Sequence, residues 1–176
     1  MEIIKKVDDI IAKIEGIFLS TSIIGMTILL VGNVFARRVL NQSWTFAEEI
    51  GQFLVVVATF MGLGYAVKLN QHVNMTAVLD LVPKKTKKTL VMIIAFLSMI
   101  TLFYFAYLGF KYAFLVYESG RVTPALELPR YIVTIFMPLG FLSGAVRYLV
   151  TLMLNIKHKD LIYVGIDTPE LDYDEE

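Results

Sequence analysis

The polar and apolar residues of this chain separate into long blocks along the sequence. Four stretches are nearly free of charge, at residues 16–36, 50–67, 89–110 and 131–156. A helix of about 20 residues rises about 30 Å, which is the thickness of the hydrocarbon core of a bilayer. None of the stretches alternates apolar and polar residues as the strands of a membrane barrel do. The pattern predicts an all-α integral membrane protein, a single membrane domain over residues 1–176 with four transmembrane helices.

Composition supports a membrane protein and bears on how the first stretch is interpreted. The chain is 57% hydrophobic and 18% charged, with a mean hydropathy of +0.67. The first apolar stretch is longer than the core of a secretory signal, no small-residue cleavage site follows it, and Asp8 and Asp9 dilute the basic residues before it. We therefore expect it to be a transmembrane helix and not a cleaved signal peptide.

The distribution of basic residues predicts the orientation. Four spans put both termini on one side, and eleven of the sixteen Lys and Arg residues fall on that side. Because cytoplasmic segments carry the excess of Lys and Arg, both termini are predicted to be cytoplasmic. A net charge of zero, with no basic face, gives no indication of a nucleic-acid partner.

Two connecting segments have helical periodicity and are predicted to form short amphipathic interfacial helices in contact with lipid. The first precedes the first span, with apolar residues at Ile3, Val7, Ile10, Ile11 and Ile14. It alternatively forms a simple N-terminal extension of that span. The second connector carries Met75, Val78, Leu79 and Val82, and Pro83 ends it. The acidic residues 167–176 are expected to be a solvated, disordered tail.

Candidate chemistry is sparse within the predicted spans. Residues 16–36, 50–67, 89–110 and 131–146 contain no Asp, Glu, Lys, Arg or His, although proton relays, ion-coupled sites and membrane enzymes need such groups.

The chain has no cysteine, and His72 and His158 have no second ligand at metal-binding spacing. Asn33 is the main amide in a span, and it is either a capped polar group or a contact for sodium or a partner helix. We therefore predict no catalytic residue, no metal site and no cofactor.

Small residues on two predicted spans favour close helix packing. Ala58, Gly62 and Ala66 recur every four residues, and Gly140 and Gly144 form a GxxxG pattern. These ridges either pack inside the chain or dock against another subunit. Pro138, beside the second ridge, predicts a kink because it cannot donate a backbone hydrogen bond.

Motifs in both halves of the chain resemble one family. In the first half they are Arg37-Arg38, Trp44, Glu48-Glu49, Phe60-Met-Gly62 and the segment from Lys68 to His72; in the second half they are Thr123-Pro124-Ala125-Leu126, Leu128-Pro129 and Pro138-Leu-Gly140. Over residues 16–147 the chain resembles the DctQ-like small membrane subunit of tripartite ATP-independent periplasmic (TRAP) transporters.

This resemblance implies a function and a set of partners. The chain would be the small, non-catalytic subunit of a sodium-driven symporter in the bacterial inner membrane, acting as a scaffold. A large permease subunit would hold the substrate and sodium sites, and a periplasmic binding protein would deliver an organic acid such as a dicarboxylate or sialic acid. The alternative is a self-contained four-helix carrier or channel that works as a homo-oligomer.

The candidate partner-interface residues are the charged, aromatic and small residues of these motifs and ridges. They are Arg37, Arg38, Trp44, Glu48, Glu49, Ala58, Gly62, Ala66, His72, Pro124, Gly140 and Gly144. The four charged residues among them flank the first outer connector. They either pair with each other or with the permease and its docked binding protein, or they extend to the headgroups and anchor the connector at the membrane interface.

Overall fold

The computed structural model describes residues 2–69, 84–157, 162–163 and 169–170. Its helices are α1 (Glu2–Val39), α2 (Thr45–Lys68), α3 (Lys84–Glu118), α4 (Tyr131–Thr134) and α5 (Phe136–Lys157). Among these described residues, four segments are long and apolar enough to cross a membrane, namely Lys5–Val39, Thr45–Lys68, Thr86–Glu118 and Tyr131–Lys157. Each contains most or all of one predicted span, so the prediction of an all-α protein with four membrane-spanning helices is confirmed.

The helices pack in a simple order. α2 lies between α1 and α5, and α5 lies between α2 and α3. The start of α1 meets the end of α2 and the middle of α5, through Asp8, Lys68 and Arg147. We call this the terminus end of the bundle, and the opposite end, with residues 40–44 and 119–130, the loop end.

The side-chain distribution is that of a protein surrounded by an apolar phase. The buried apolar positions are mostly alanines and valines, and larger apolar side chains, chiefly Ile, Leu and Phe, lie on the exposed surface. Lipid removes the incentive to bury large apolar side chains, so helix contacts in membranes favour small residues that let backbones approach. The structure therefore agrees with the apolar composition.

The N-terminal residues continue the first helix. α1 is one uninterrupted helix from Glu2 to Val39, so residues 3–14 extend the first span and do not form a separate helix. Of the two alternatives for this segment, the extension is the one that the structure contains. The predicted second interfacial helix, with Met75 and Pro83, lies outside the described residues.

The fourth span is interrupted close to its proline, as predicted. α4 ends at Thr134, Ile135 separates it from α5, and Pro138 is fully buried. A proline cannot bond to the carbonyl four residues earlier, and its ring crowds that carbonyl, which here belongs to Thr134. The interruption therefore falls one turn before Pro138.

The C-terminal region contains structure that the sequence did not predict. Strand β1 (Ile162–Tyr163) pairs antiparallel with strand β2 (Pro169–Glu170). Asn155, which is 1% exposed, donates to the carbonyl of Tyr163 at 2.6 Å and accepts from its N–H at 3.0 Å. Asn155 thus holds β1 against α5, and β2 in turn pairs with β1. The expectation of a disordered tail is therefore wrong for Pro169–Glu170.

Candidate interaction surfaces

Four charged side chains from three helices meet at the terminus end. Nε of Arg147 donates to Oδ1 of Asp8 at 2.7 Å, and Nη1 of Arg147 lies 2.8 Å from Oε2 of Glu15. Lys68, the last residue of α2, pairs with Asp9 and lies 3.4 Å from Oδ2 of Asp8. The side chains of Asp8, Glu15 and Arg147 are 8%, 4% and 4% exposed. We call Asp8, Glu15, Lys68 and Arg147 the ionic cluster.

Two neighbouring groups also contact the ionic cluster. Nη1 of Arg147 also donates to the backbone carbonyl of Gly64, and the Ser143 hydroxyl donates to Oε1 of Glu15 at 2.5 Å. A Cβ at Gly64 would overlap the Glu15 carboxylate, so α2 and α1 approach closely only because this residue is glycine. The charges are paired within the chain, and the ionic cluster ties α1 to α2 and α5. Oδ2 of Asp8, Oε2 of Glu15 and Nη2 of Arg147 are buried and make no hydrogen bond to the described residues.

The sequence analysis missed this cluster, although two signals for it were present. Asp8 and Glu15 are seven residues apart, which puts them on one face of a helix after two turns. Arg147 lies inside the fourth span, Tyr131–Lys157. The four core runs contain no ionisable residue, but charged residues that flank them meet inside the bundle at this end, because oppositely charged residues from different helices neutralise each other there.

At the loop end, Glu49 holds a connecting segment in place. Its two carboxylate oxygens accept hydrogen bonds from the backbone N–H groups of Ala125 and Leu126, at 2.6 and 3.0 Å. The same segment is closed by a backbone bridge between Val122 and Pro129. Glu49 is therefore an internal anchor, which holds residues 121–130 near the N-terminal end of α2.

A cavity of about 680 Å³ lies beside this anchored segment. Its polar rim includes Glu48, Glu49 and Arg130, and its apolar wall includes Phe53 and Val133. Pro124 also lines it, so the structure brings three of the predicted interface residues, Glu48, Glu49 and Pro124, to one open surface.

The other charged candidates at the loop end lie apart from this cavity. Arg37 and Arg38 are exposed in the last turn of α1. Among the residues that the structure describes, no ion pair joins either arginine to Glu48 or Glu49. The predicted pairing within the chain is therefore not present in this part of the protein.

Trp44 fixes the connector between α1 and α2. Its backbone N–H donates to Oδ1 of Asn33 at 2.8 Å, its ring lies over Gly32, and its ring stacks on Phe46 at a centroid distance of 5.8 Å. The Asn33 side chain is therefore a capped polar group, which is the first of the two alternatives that the sequence left open.

The glycines of the small-residue ridges pack inside the chain. A Cβ at Gly140 would overlap the backbone carbonyl of Phe60, and one at Gly144 would lie 3.1 Å from Leu102. At Gly62 the nearest side chain is Leu19 of α1. These three glycines therefore serve contacts between the chain's own helices, which is the internal alternative. Ala58 and Ala66 are half-buried on the same helix as Gly62, and His72 lies outside the described residues.

The chain is similar to known transporter subunits. The family model described as the DctQ component of tripartite ATP-independent periplasmic transporters matches residues 26–158. The chain is 32% identical over 159 residues to the ectoine TRAP transporter small permease protein TeaB of Halomonas elongata, covering 90% of this chain and 82% of that protein.

Two relatives with sialic acid in their names are more distant. The sialic acid TRAP transporter small permease protein SiaQ of Vibrio cholerae is 26% identical over 110 residues, covering 62% of this chain and 64% of SiaQ. The sialic acid TRAP transporter permease protein SiaT of Haemophilus influenzae is 25% identical over 101 residues, which are 57% of this chain but only 16% of SiaT. The family match covers well over half of the chain and agrees with four membrane-spanning helices. The chain therefore belongs to the DctQ family, the non-catalytic small permease subunits of TRAP transporters.

Proposed function

We propose that this chain is the scaffold for a large permease subunit in a sodium-driven, binding-protein-dependent importer of the bacterial inner membrane. The observation that carries this proposal is the ionic cluster. The buried charges Asp8, Glu15 and Arg147 are used to join helices of the chain itself, which leaves no buried charge of this cluster to bind a solute. A scaffold needs rigid helix contacts, whereas the coordinating groups for solute and sodium belong to its partner.

The length of one relative supports a large permease as the neighbour. The stretch of SiaT that is similar to this chain makes up 16% of SiaT. A small-subunit-like segment and a much longer remainder therefore share one polypeptide in that protein, which keeps them adjacent. For this chain we propose the same adjacency between separate subunits.

The proposed solute is a small organic acid. The relatives are named for ectoine and sialic acid, and both compounds carry a carboxylate. A dicarboxylate fits the same class. The choice among such solutes belongs to the binding protein and the large permease.

Both termini are proposed to be cytoplasmic, because the segments at the terminus end carry most of the Lys and Arg residues. Alkaline phosphatase is active only after export to the periplasm. A fusion at the C-terminus should be inactive, and a matched fusion within residues 119–130 should be active. The reverse pattern would contradict the orientation.

The loop end is the proposed contact surface for the periplasmic partner. Glu48 is exposed at the rim of the cavity, whereas Glu49 is occupied by Ala125 and Leu126. Glu48→Ala and Arg38→Ala should therefore reduce recovery of the complex without lowering the thermal stability of the isolated subunit. Unchanged recovery and uptake in both variants would remove these residues from the interface.

Reconstitution tests the proposal as a whole. Three kinds of proteoliposome should be compared: those holding this chain, those holding the large permease and those holding both. In each assay the binding protein and labelled solute are outside the vesicles, and a sodium gradient is directed inward. Only vesicles with both membrane subunits should accumulate solute, and replacing sodium with potassium should abolish uptake. Uptake by this chain alone would favour the homo-oligomeric carrier, and uptake by the permease alone would contradict a required scaffold.

A further inference from the structure

The cavity at the loop end lies in a groove between two helices. α2 and α3 both pack against α5, and they make almost no direct contact with each other. The cavity occupies the loop end of this groove, and its lining comes from α2, α3, α4 and the anchored segment 121–130. Its volume of about 680 Å³ falls within the range of about 300–1,000 Å³ that is usual for small-molecule sites.

The polarity of the cavity lining changes along α2. Glu48 lines the cavity in the first turn of α2, Gln52 follows one turn later, and Val56 lines it one turn further on. Phe53 and the buried Val133 complete the apolar part. From Glu48 to Val56 the helix rises about 12 Å, whereas one headgroup layer of a bilayer is about 5–8 Å thick. A molecule in the cavity therefore meets side chains at the level of the headgroups and at the level of the acyl chains.

The charged residues of the lining determine which headgroup fits. They are Glu48, Glu49 and Arg130, which give the lining one net negative charge. Both carboxylate oxygens of Glu49 already accept hydrogen bonds from backbone N–H groups. Arg130 attracts Glu49, so its guanidinium faces the same rim. Glu48 and Arg130 are exposed, and no ion pair within the described ranges holds either of them. One carboxylate and one guanidinium are therefore open to a ligand.

A zwitterionic phospholipid has the matching arrangement of groups. Its phosphate suits a guanidinium, its ammonium suits a carboxylate, and its acyl chain suits the apolar wall. An ethanolamine ammonium offers three N–H donors to a carboxylate, as a lysine does, whereas the quaternary nitrogen of choline offers none. A solute with only a carboxylate would face the net negative charge and would leave the apolar wall empty.

We propose that this cavity binds phosphatidylethanolamine. The ammonium lies at Glu48, the phosphate lies at Arg130, and the first part of one acyl chain lies against Phe53 and Val56. This site requires only the chain and the bilayer, so it does not depend on the proposed scaffold function. It gives the loop end a lipid ligand whose headgroup contacts α2 and the start of α4 together.

Native mass spectrometry of the full chain in detergent tests the headgroup preference. The chain is titrated with phosphatidylethanolamine, phosphatidylcholine and phosphatidylglycerol that carry identical acyl chains. Phosphatidylethanolamine should bind about tenfold more tightly than phosphatidylcholine, which corresponds to about 1.4 kcal/mol. Phosphatidylglycerol should bind no more tightly than phosphatidylcholine, because it brings no cation to Glu48. Equal affinities for the three lipids would overturn the inference.

Two variants of the lining should have different signatures. Glu48→Gln should lower the affinity for phosphatidylethanolamine to that for phosphatidylcholine, and should leave phosphatidylcholine binding unchanged. Arg130→Gln should weaken binding of all three lipids, since all three carry the phosphate. The matched controls are Glu118→Gln and Arg121→Gln, which change exposed charges at the loop end outside the cavity and should alter no affinity.

The outcomes of the variant series are separable from loss of folding. Glu48 and Arg130 are exposed, so both variants should melt with the unsubstituted chain when no lipid is added. A preference for phosphatidylethanolamine that survives Glu48→Gln, or that Glu118→Gln also removes, would overturn the site. The assay contains neither permease nor binding protein, so its failure would leave the proposed function standing.

Photo-crosslinking locates the bound lipid. Benzoylphenylalanine replaces Phe53 in the cavity or, as the control, Val55, which is 47% exposed at the same depth of α2 and does not line the cavity. With an equimolar amount of phosphatidylethanolamine, position 53 should give an adduct of the lipid's mass, and Glu48→Gln should reduce that adduct. An equally strong adduct at position 55 would assign the binding to the general lipid-facing surface and overturn the inference.

Discussion

Arg147→Met is expected to be the most damaging single substitution at the terminus end. Methionine keeps much of the aliphatic volume but removes the guanidinium that contacts Asp8, Glu15 and the carbonyl of Gly64. Two carboxylates that are less than one-tenth exposed then lie near each other without their cation. Removing one partner of a buried ion pair costs about 3–5 kcal/mol of folding free energy.

A combined variant separates the loss of the pair from the loss of packing. Neutralising the carboxylates as well, in Arg147→Met/Asp8→Asn/Glu15→Gln, removes the unpaired charges. Replacing a whole buried ion pair by neutral groups is often nearly neutral, so the triple variant should recover most of the lost stability. Lys157→Met is the matched control, because Lys157 is an exposed cation on the same helix. It should change stability by less than about 0.5 kcal/mol.

Unfolding of the purified subunit in mixed micelles by sodium dodecyl sulfate measures these differences. Trp44 is the only tryptophan, so its fluorescence reports unfolding without a label. Helix content from circular dichroism should follow the same transition. A loss below about 1 kcal/mol for Arg147→Met would refute the reasoning. So would a triple variant that is as unstable as the single one.

The other predictions concern three local contacts. Glu49→Gln should speed hydrogen exchange at the amides of Ala125 and Leu126 several-fold, because the acceptor loses its charge, while Glu48→Gln should leave both rates unchanged. Asn155→Leu leaves the backbone of Tyr163 without its partners at a cost of about 1–3 kcal/mol, and limited proteolysis should then cleave near β1 faster than in Met153→Leu. Gly140→Ala should destabilise the isolated subunit by about 1–3 kcal/mol through overlap with the carbonyl of Phe60, whereas Leu139→Ala, at an exposed neighbour, should have little effect on its melting temperature.

The sequence by itself determined the class of protein. Four long apolar blocks require four helices in a bilayer, because lipid offers the backbone no hydrogen-bond partners and a helix satisfies its own. Pro138 likewise predicted a distorted fourth helix, since its missing N–H acts within one turn whatever the surroundings. The motifs from Arg37 to Gly140 were sufficient to indicate the family.

The partners of individual side chains were decided only by the tertiary structure. Asp8 and Arg147 are 139 residues apart in the sequence. A hydropathy scale counts each charge as unfavourable in a membrane, and it does not show that the two opposite charges pair. From the sequence, Glu49 is predicted to be a charged residue of a subunit interface. In the structure its partners are backbone N–H groups of a segment 76 residues away. Gly140 and Gly144 suit an internal and an external contact equally well until the positions of α2 and α3 are known.

The same distinction applies to α1. Apolar residues cover so much of α1 that periodicity alone does not tell its inner face from its outer face. Packing of Ala12, Ser22 and Ala36 against the bundle fixes the rotation of the helix. The sequence thus determined that α1 is long and apolar, and the tertiary structure decided which of its faces packs against the bundle. The physical reason is that helix formation depends on neighbours along the chain, whereas burial depends on residues that only folding brings together.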